Sequence, residues 1–214
     1  MIFGLAAALG FGLADFTGAV SGRRIGSLPT VLIAQFLSAG VMTLVLIAGG
    51  HSPGVLAPYV IFVAMSAASS AGAYLSHYRA LQLGPVAVVS PVSATFAVVG
   101  VALAVLVLGE RPEPTVLLGG AITVLGAMLT STDLAKLFAG THTRAPGLPW
   151  ALVSAVLFGV GGFFLGFFAQ EVGWVPGLWA TRVAQLVVFG VIAVVRRREF
   201  GSVGWNAGLL LALG

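Results

Sequence analysis

Residues 74–131 read YLSHYRALQLGPVAVVSPVSATFAVVGVALAVLVLGERPEPTVLLGGAITVLGAMLTS, and their punctuation decides the fold. The end of one apolar run meets a Gly84-Pro85 break, a second run extends over residues 85–108, and a charged corner, Gly109-Glu110-Arg111-Pro112, precedes a third run from Thr115. At 1.5 Å per residue each run is about as long as a helix needs to cross a bilayer of roughly 30 Å. The breaks fall where a chain leaves lipid.

The rest of the chain agrees. Of 214 residues, 59% are apolar and 7% charged, with a mean hydropathy of +1.10. A water-soluble domain needs more polar surface than that. Using Gly, Pro and charge as boundaries, spans are expected at 2–20, 28–49, 57–83, 85–108, 115–131, 148–169 and 175–195. Met1 is followed by no positive segment and six more spans come after, so residues 2–20 read as a retained helix rather than a signal peptide. An eighth run starts near Val203 and reaches only Gly214, too short to span, so the chain looks cut off.

Composition also narrows the chemistry. With no cysteine there is no disulfide, thiolate metal site or thiol nucleophile. The net charge of +4 comes from scattered loop arginines, with no basic face for nucleic acid. No nucleotide loop, nucleophile elbow or paired catalytic acids occur, so neither an enzyme nor a cofactor is expected. The predominance of arginine over lysine, with abundant Ala, Val, Gly and Leu, hints at a GC-rich bacterial gene. In the loops, the positive-inside rule puts the N-terminus outside.

A duplication organises the spans. Setting residues 1–67 against 148–214, an offset of 147, matches Leu5 with Leu152, Phe11-Gly12 with Phe158-Gly159, Gly26 with Gly173 and Pro29 with Pro176. About five spans make the first unit, and an odd number of crossings inverts the second copy. The expected organisation is a first repeat over 1–132, a loop over 133–147 and a partial second repeat over 148–214.

Several motifs carry a resemblance. Tyr78-Arg79-Ala80-Leu81, Gly84-Pro85, Ser90-Pro91-Val92, Gly109-Glu110, the Leu-Gly-Gly-Ala run at 118–121 and the opening Phe11-Gly12-Leu13-Ala14-Asp15-Phe16 together resemble the EamA-type branch of the drug/metabolite transporter superfamily. The resemblance implies an all-α polytopic membrane protein with ten helices in two inverted five-helix repeats around a central cavity. Seven complete helices and part of an eighth lie in this chain. It also implies a permease or exporter in the cell membrane, and cytoplasmic termini, which conflicts with the charge rule. Arg182 sits where the family commonly has an arginine in the second helix of a repeat; the first repeat has Gln35 there.

Candidate site residues follow from polarity inside apolar spans. Asp15 is the carboxylate well inside a span, where a charge costs several kcal/mol unless paired, protonated or hydrated. It reads either as a coupling group for a proton or other ion, or as a structural acid bonded to a hydroxyl or an arginine. Ser66, Ser70, Tyr74 and His77, spaced four, four and three apart, share one face of a helix. That face either lines a cavity for a polar solute or bonds to neighbouring helices. Arg182 is expected to bind an anionic group, pair with Asp15 or anchor at the interface. Trp179 lies one turn into its span and within reach of the cavity, whereas the other tryptophans fit an interfacial belt. Pro91 interrupts its helix, as a hinge or a tolerated kink.

The reading is a secondary transporter of small polar or amphipathic metabolites working by alternating access, with a proton or another ion as the coupling partner. The alternative is a non-transporting membrane subunit or sensor whose polar stripe binds a partner helix. If the gene ends at Gly214, transport needs a partner or a homodimer.

Overall fold

The computed structural model describes residues 2–131 and 146–195; the eighth run from Val203, most of the inter-repeat loop and Trp205 lie outside them. The described chain is helical: α1 (Ile2–Ile25), α2 (Ser27–Ala48), a 3-10 turn (Pro53–Tyr59), α3 (Val60–Leu83), α4 (Val86–Ala94), α5 (Phe96–Leu108), α6 (Pro114–Ser131), α7 (Leu148–Val172) and α8 (Trp174–Val195). Six helical stretches, with α4 and α5 counted as one, are long and apolar enough to cross a membrane. This is an all-α polytopic membrane protein, and its outward faces are covered with exposed Leu, Val, Ile and Phe, as lipid requires.

Three boundaries depart from the sequence expectation. The first helix runs to Ile25 instead of ending near residue 20, so Asp15 lies ten residues, about 15 Å, from its end. The third span opens with a 3-10 turn before α3 begins at Val60. The expected continuous span over 85–108 is broken between Ala94 and Phe96.

Pro91 prepares that break but does not sit at it. Its ring removes one N–H and crowds the carbonyl of Ala87, yet α4 continues through Pro91 to Ala94. Thr95 then bonds back to the Val92 carbonyl twice, through Oγ1 at 2.7 Å and through its own N–H at 3.2 Å. A hydroxyl competing for the same acceptor tightens the turn and ends the α-helical ladder.

The offset of 147 reappears as geometry. The first residue of α2, Ser27, plus 147 gives Trp174, where α8 begins, and the last residue of α1, Ile25, plus 147 gives Val172, where α7 ends. Gly26 and Gly173, the residues before these helices, have φ of 91° and 90°, a conformation that glycine adopts without strain. Each is followed three positions later by a buried proline, Pro29 and Pro176.

Packing centres on α7. It lies along α3, touches α4 and α5, and α2 packs against α8. Close approach depends on missing side chains: a Cβ on Gly161 would run into Ser70 Oγ, and one on Gly159 would meet Val99 and the Phe96 carbonyl. Small residues let membrane helices approach until dispersion and hydrogen bonds hold them. At one end Arg23 of α1 donates through Nη2 to the carbonyls of Leu81 and Gly84, at 3.3 and 3.0 Å. A cation thereby caps the carbonyl end of α3.

Candidate functional site

Two polar clusters lie inside the bundle, both built on the same face of α3. The first begins at Asp15 of α1. Its Oδ1 is 2.9 Å from His77 Nε2, and His77 Nδ1 is 3.0 Å from Ser93 Oγ on α4. Ser93 Oγ is 2.9 Å from Ser154 Oγ on α7, and Ser154 donates to the Ala151 carbonyl at 2.7 Å. His77, Ser93 and Ser154 are buried, and Asp15 is partly so.

The donors along this chain follow from its end. A carbonyl only accepts, so Ser154 spends its hydrogen on Ala151, Ser93 donates to Ser154, and His77 Nδ1–H donates to Ser93. The Asp15–His77 contact then needs one further proton, either on the carboxyl or on Nε2. In both forms the pair holds one proton and carries no net charge. Removing it leaves an ionised carboxylate facing a bare ring nitrogen. The bond re-forms only if the imidazole changes tautomer and Ser93 turns to donate to it. The hydrogen in the Asp15–His77 contact is thus tied to the orientation of the Ser93 hydroxyl in α4.

The second cluster surrounds Arg182 of α8, eight residues from Trp174 and so about 12 Å into the helix. Its Nη1 donates to Tyr74 Oη at 2.7 Å, Gln35 Oε1 at 3.2 Å and Gln185 Oε1 at 3.2 Å. The guanidinium carbon also lies 5.3 Å from the Tyr74 ring centroid, within cation–π range. Gln35 and Gln185 are buried. Phe158 of α7 stands between the clusters, its centroid 4.8 Å from that of Tyr74 and 6.0 Å from that of His77.

The expected residues divide accordingly. Asp15 pairs with His77 and not with Arg182, whose Nη1 is held by neutral groups from three helices. Tyr74 and His77 face the two clusters. Ser66 is fully buried and donates to the Gly161 carbonyl at 2.8 Å, while Ser70 abuts Gly161 itself. Ser66 is thereby a helix contact, and half-buried Ser70 lies against α7, because Gly161 brings that helix to van der Waals distance. Trp179 donates to Thr43 Oγ1 at 3.0 Å and packs near Leu56, Phe168 and Ala180, tying α8 to α2. Pro91 lies beside Ser90, whose Oγ is buried and has no partner among the described residues.

Sequence reasoning missed Ser93, Ser154, Gln185 and Arg23. Gln185 was detectable, since it lies three residues after Arg182 and shares its face. Ser93 and Ser154 gave no such signal, because single serines are common in membrane helices. Among the described residues no group of three His, Asp or Glu side chains is placed to hold a metal ion.

A bundle of lipid-facing helices with hydrogen-bonded polar groups inside defines a polytopic membrane protein. Residues 1–132 match the model of the EamA-like transporter family, within the drug/metabolite transporter superfamily, and the chain belongs to that family. No curated protein and no solved structure matches it significantly.

Proposed function

We propose that the protein is a secondary transporter of small polar or amphipathic metabolites, working by alternating access and driven by protons through Asp15. The carrying observation is the 2.9 Å contact between Asp15 Oδ1 and His77 Nε2, a bond that needs one proton between the two groups. An intramembrane acid is expensive to keep ionised, so a neutral pair is the resting form that lipid tolerates. Losing the proton turns the Ser93 hydroxyl toward His77 and takes its hydrogen away from Ser154 on α7. A helix contact that depends on protonation is what coupling requires.

The second repeat inverts the first on this reading, and the offset of 147 between α2 and α8 supports it. The broken span at Thr95 supports a hinge between α4 and α5. Arginine-rich composition supports a bacterial inner membrane. The alternative, a subunit whose polar stripe binds a partner helix, is disfavoured because α7 already occupies Ser66 and Ser70.

The test is flux in proteoliposomes over a panel of amino acids, nucleosides, organic acids and cationic drugs. An imposed pH gradient is expected to accelerate flux of a transported solute, and Asp15→Asn is expected to remove the acceleration. Flux indifferent to the gradient in the unaltered protein contradicts proton coupling.

A further inference from the structure

Among the described residues Arg182 makes all its hydrogen bonds with one nitrogen. Nη1 serves Tyr74, Gln35 and Gln185, whereas Nε and Nη2 bond to no described residue. A guanidinium has five N–H donors, and three of them belong to Nε and Nη2. Arg182 is half-buried, and neither atom is a buried orphan among the described residues. The Nε–Nη2 edge of Arg182 is thus left without a partner among the described residues.

The charge is as incomplete as the bonding. Tyr74, Gln35 and Gln185 are neutral, and among the described carboxylates Asp15 is taken by His77 while Glu110, Glu113 and Glu171 are exposed near span ends. A cation about 12 Å into a membrane helix, with no counter-ion among the described residues, is costly. Three neutral acceptors orient the fork without neutralising it.

From this we infer that the open edge of Arg182 is a subsite for the carboxylate of the solute. The inference deepens the transport reading and rests on it. Two parallel N–H donors on a planar cation match the two oxygens of one carboxylate. The charge also matches, since no second described cation joins the cluster to balance a phosphate dianion. Tyr74, with Phe158 packed edge-on against it, supplies an apolar wall for the body of such a solute.

The test is binding to the purified full chain in detergent at fixed ionic strength, read as thermal stabilisation by benzoate, benzamide and phenyl phosphate. Benzoate is expected to raise Tm saturably, with little response to neutral benzamide and a smaller one to phenyl phosphate. Arg182→Lys keeps the charge but loses the fork, and is expected to weaken benzoate binding about tenfold; Arg182→Gln is expected to abolish it. Equal responses to benzoate and benzamide, a benzoate response surviving in Arg182→Gln, or a larger response to phenyl phosphate overturns the assignment.

Should Arg182→Gln fail to fold, phenylglyoxal modification of the unaltered protein, mapped by mass spectrometry, decides. Benzoate is expected to slow reaction at Arg182 and leave exposed Arg111 unchanged; no protection at Arg182 overturns the subsite. Binding in detergent needs no flux. Benzoate binding without gradient-driven transport defeats the transport reading alone, and transport of neutral solutes without benzoate binding defeats the subsite alone.

Discussion

Gln35 and Arg182 are 147 positions apart and touch, Arg182 Nη1 donating to Gln35 Oε1 at 3.2 Å. The same interval separates Gly26 from Gly173, and it carries the start of α2 onto the start of α8. Position 35 of α2 holds the acceptor, and the position 147 residues further on, in α8, holds the cation.

This asymmetry predicts a rescue. Gln35→Arg alone sets two guanidinium groups against each other and is expected to destabilise the protein, whereas Gln35→Arg with Arg182→Gln restores a cation–amide pair. A coupling of ~1–3 kcal/mol between the two sites is expected, read from the Tm values of the single and double variants. Additive effects would mean the contact contributes nothing.

The glycines of α7 differ by location. Gly161→Ala and Gly159→Ala force a methyl against Ser70 and Val99 and are each expected to cost ~1–3 kcal/mol. Gly162 has nothing within 4 Å of an added Cβ, so Gly162→Ala is expected to leave Tm unchanged or slightly raised. Thermal unfolding of the three variants in one detergent checks this ordering.

His77 separates bonding from protonation. His77→Gln keeps a donor and an acceptor between Asp15 and Ser93 but cannot take up a second proton, so near-normal stability with lost response to a pH gradient is expected. His77→Leu leaves both partners unmatched and is expected to cost ~1–3 kcal/mol. Tm and gradient-driven flux, measured together, distinguish the two.

Arg23 and Arg24 are neighbours with different work. Arg23 caps the end of α3 through two carbonyls, and Arg23→Ala is expected to cost ~1.5–3 kcal/mol. Arg24 makes no such bond to the described residues, and Arg24→Ala is expected to change Tm little.

The sequence exposed what depends on length and periodicity. Apolar runs between Gly, Pro and charges located the helices, the offset of 147 related α1 and α2 to α7 and α8, and Asp15 and Arg182 stood out as charges inside spans. Who faces whom stayed hidden, because it depends on how each helix is rotated about its axis. His77 was assigned to the right stripe, yet nothing along the chain indicated that α1 would present Asp15 to it. The serines of that stripe met α7 because Gly161 admits them, a relation across 95 positions. The break at Thr95 lies in a uniformly apolar run where periodicity has no contrast.

The central claim is that the Asp15–His77–Ser93 interior opens to each side of the membrane in turn. The chain contains no cysteine, so Ser93→Cys in right-side-out and inside-out vesicles, treated with a membrane-impermeant thiol reagent, reports on it directly. Reaction from both faces, with rates that shift oppositely as pH changes, is the predicted result. Reaction from neither face, or from one face alone at every pH, would contradict alternating access.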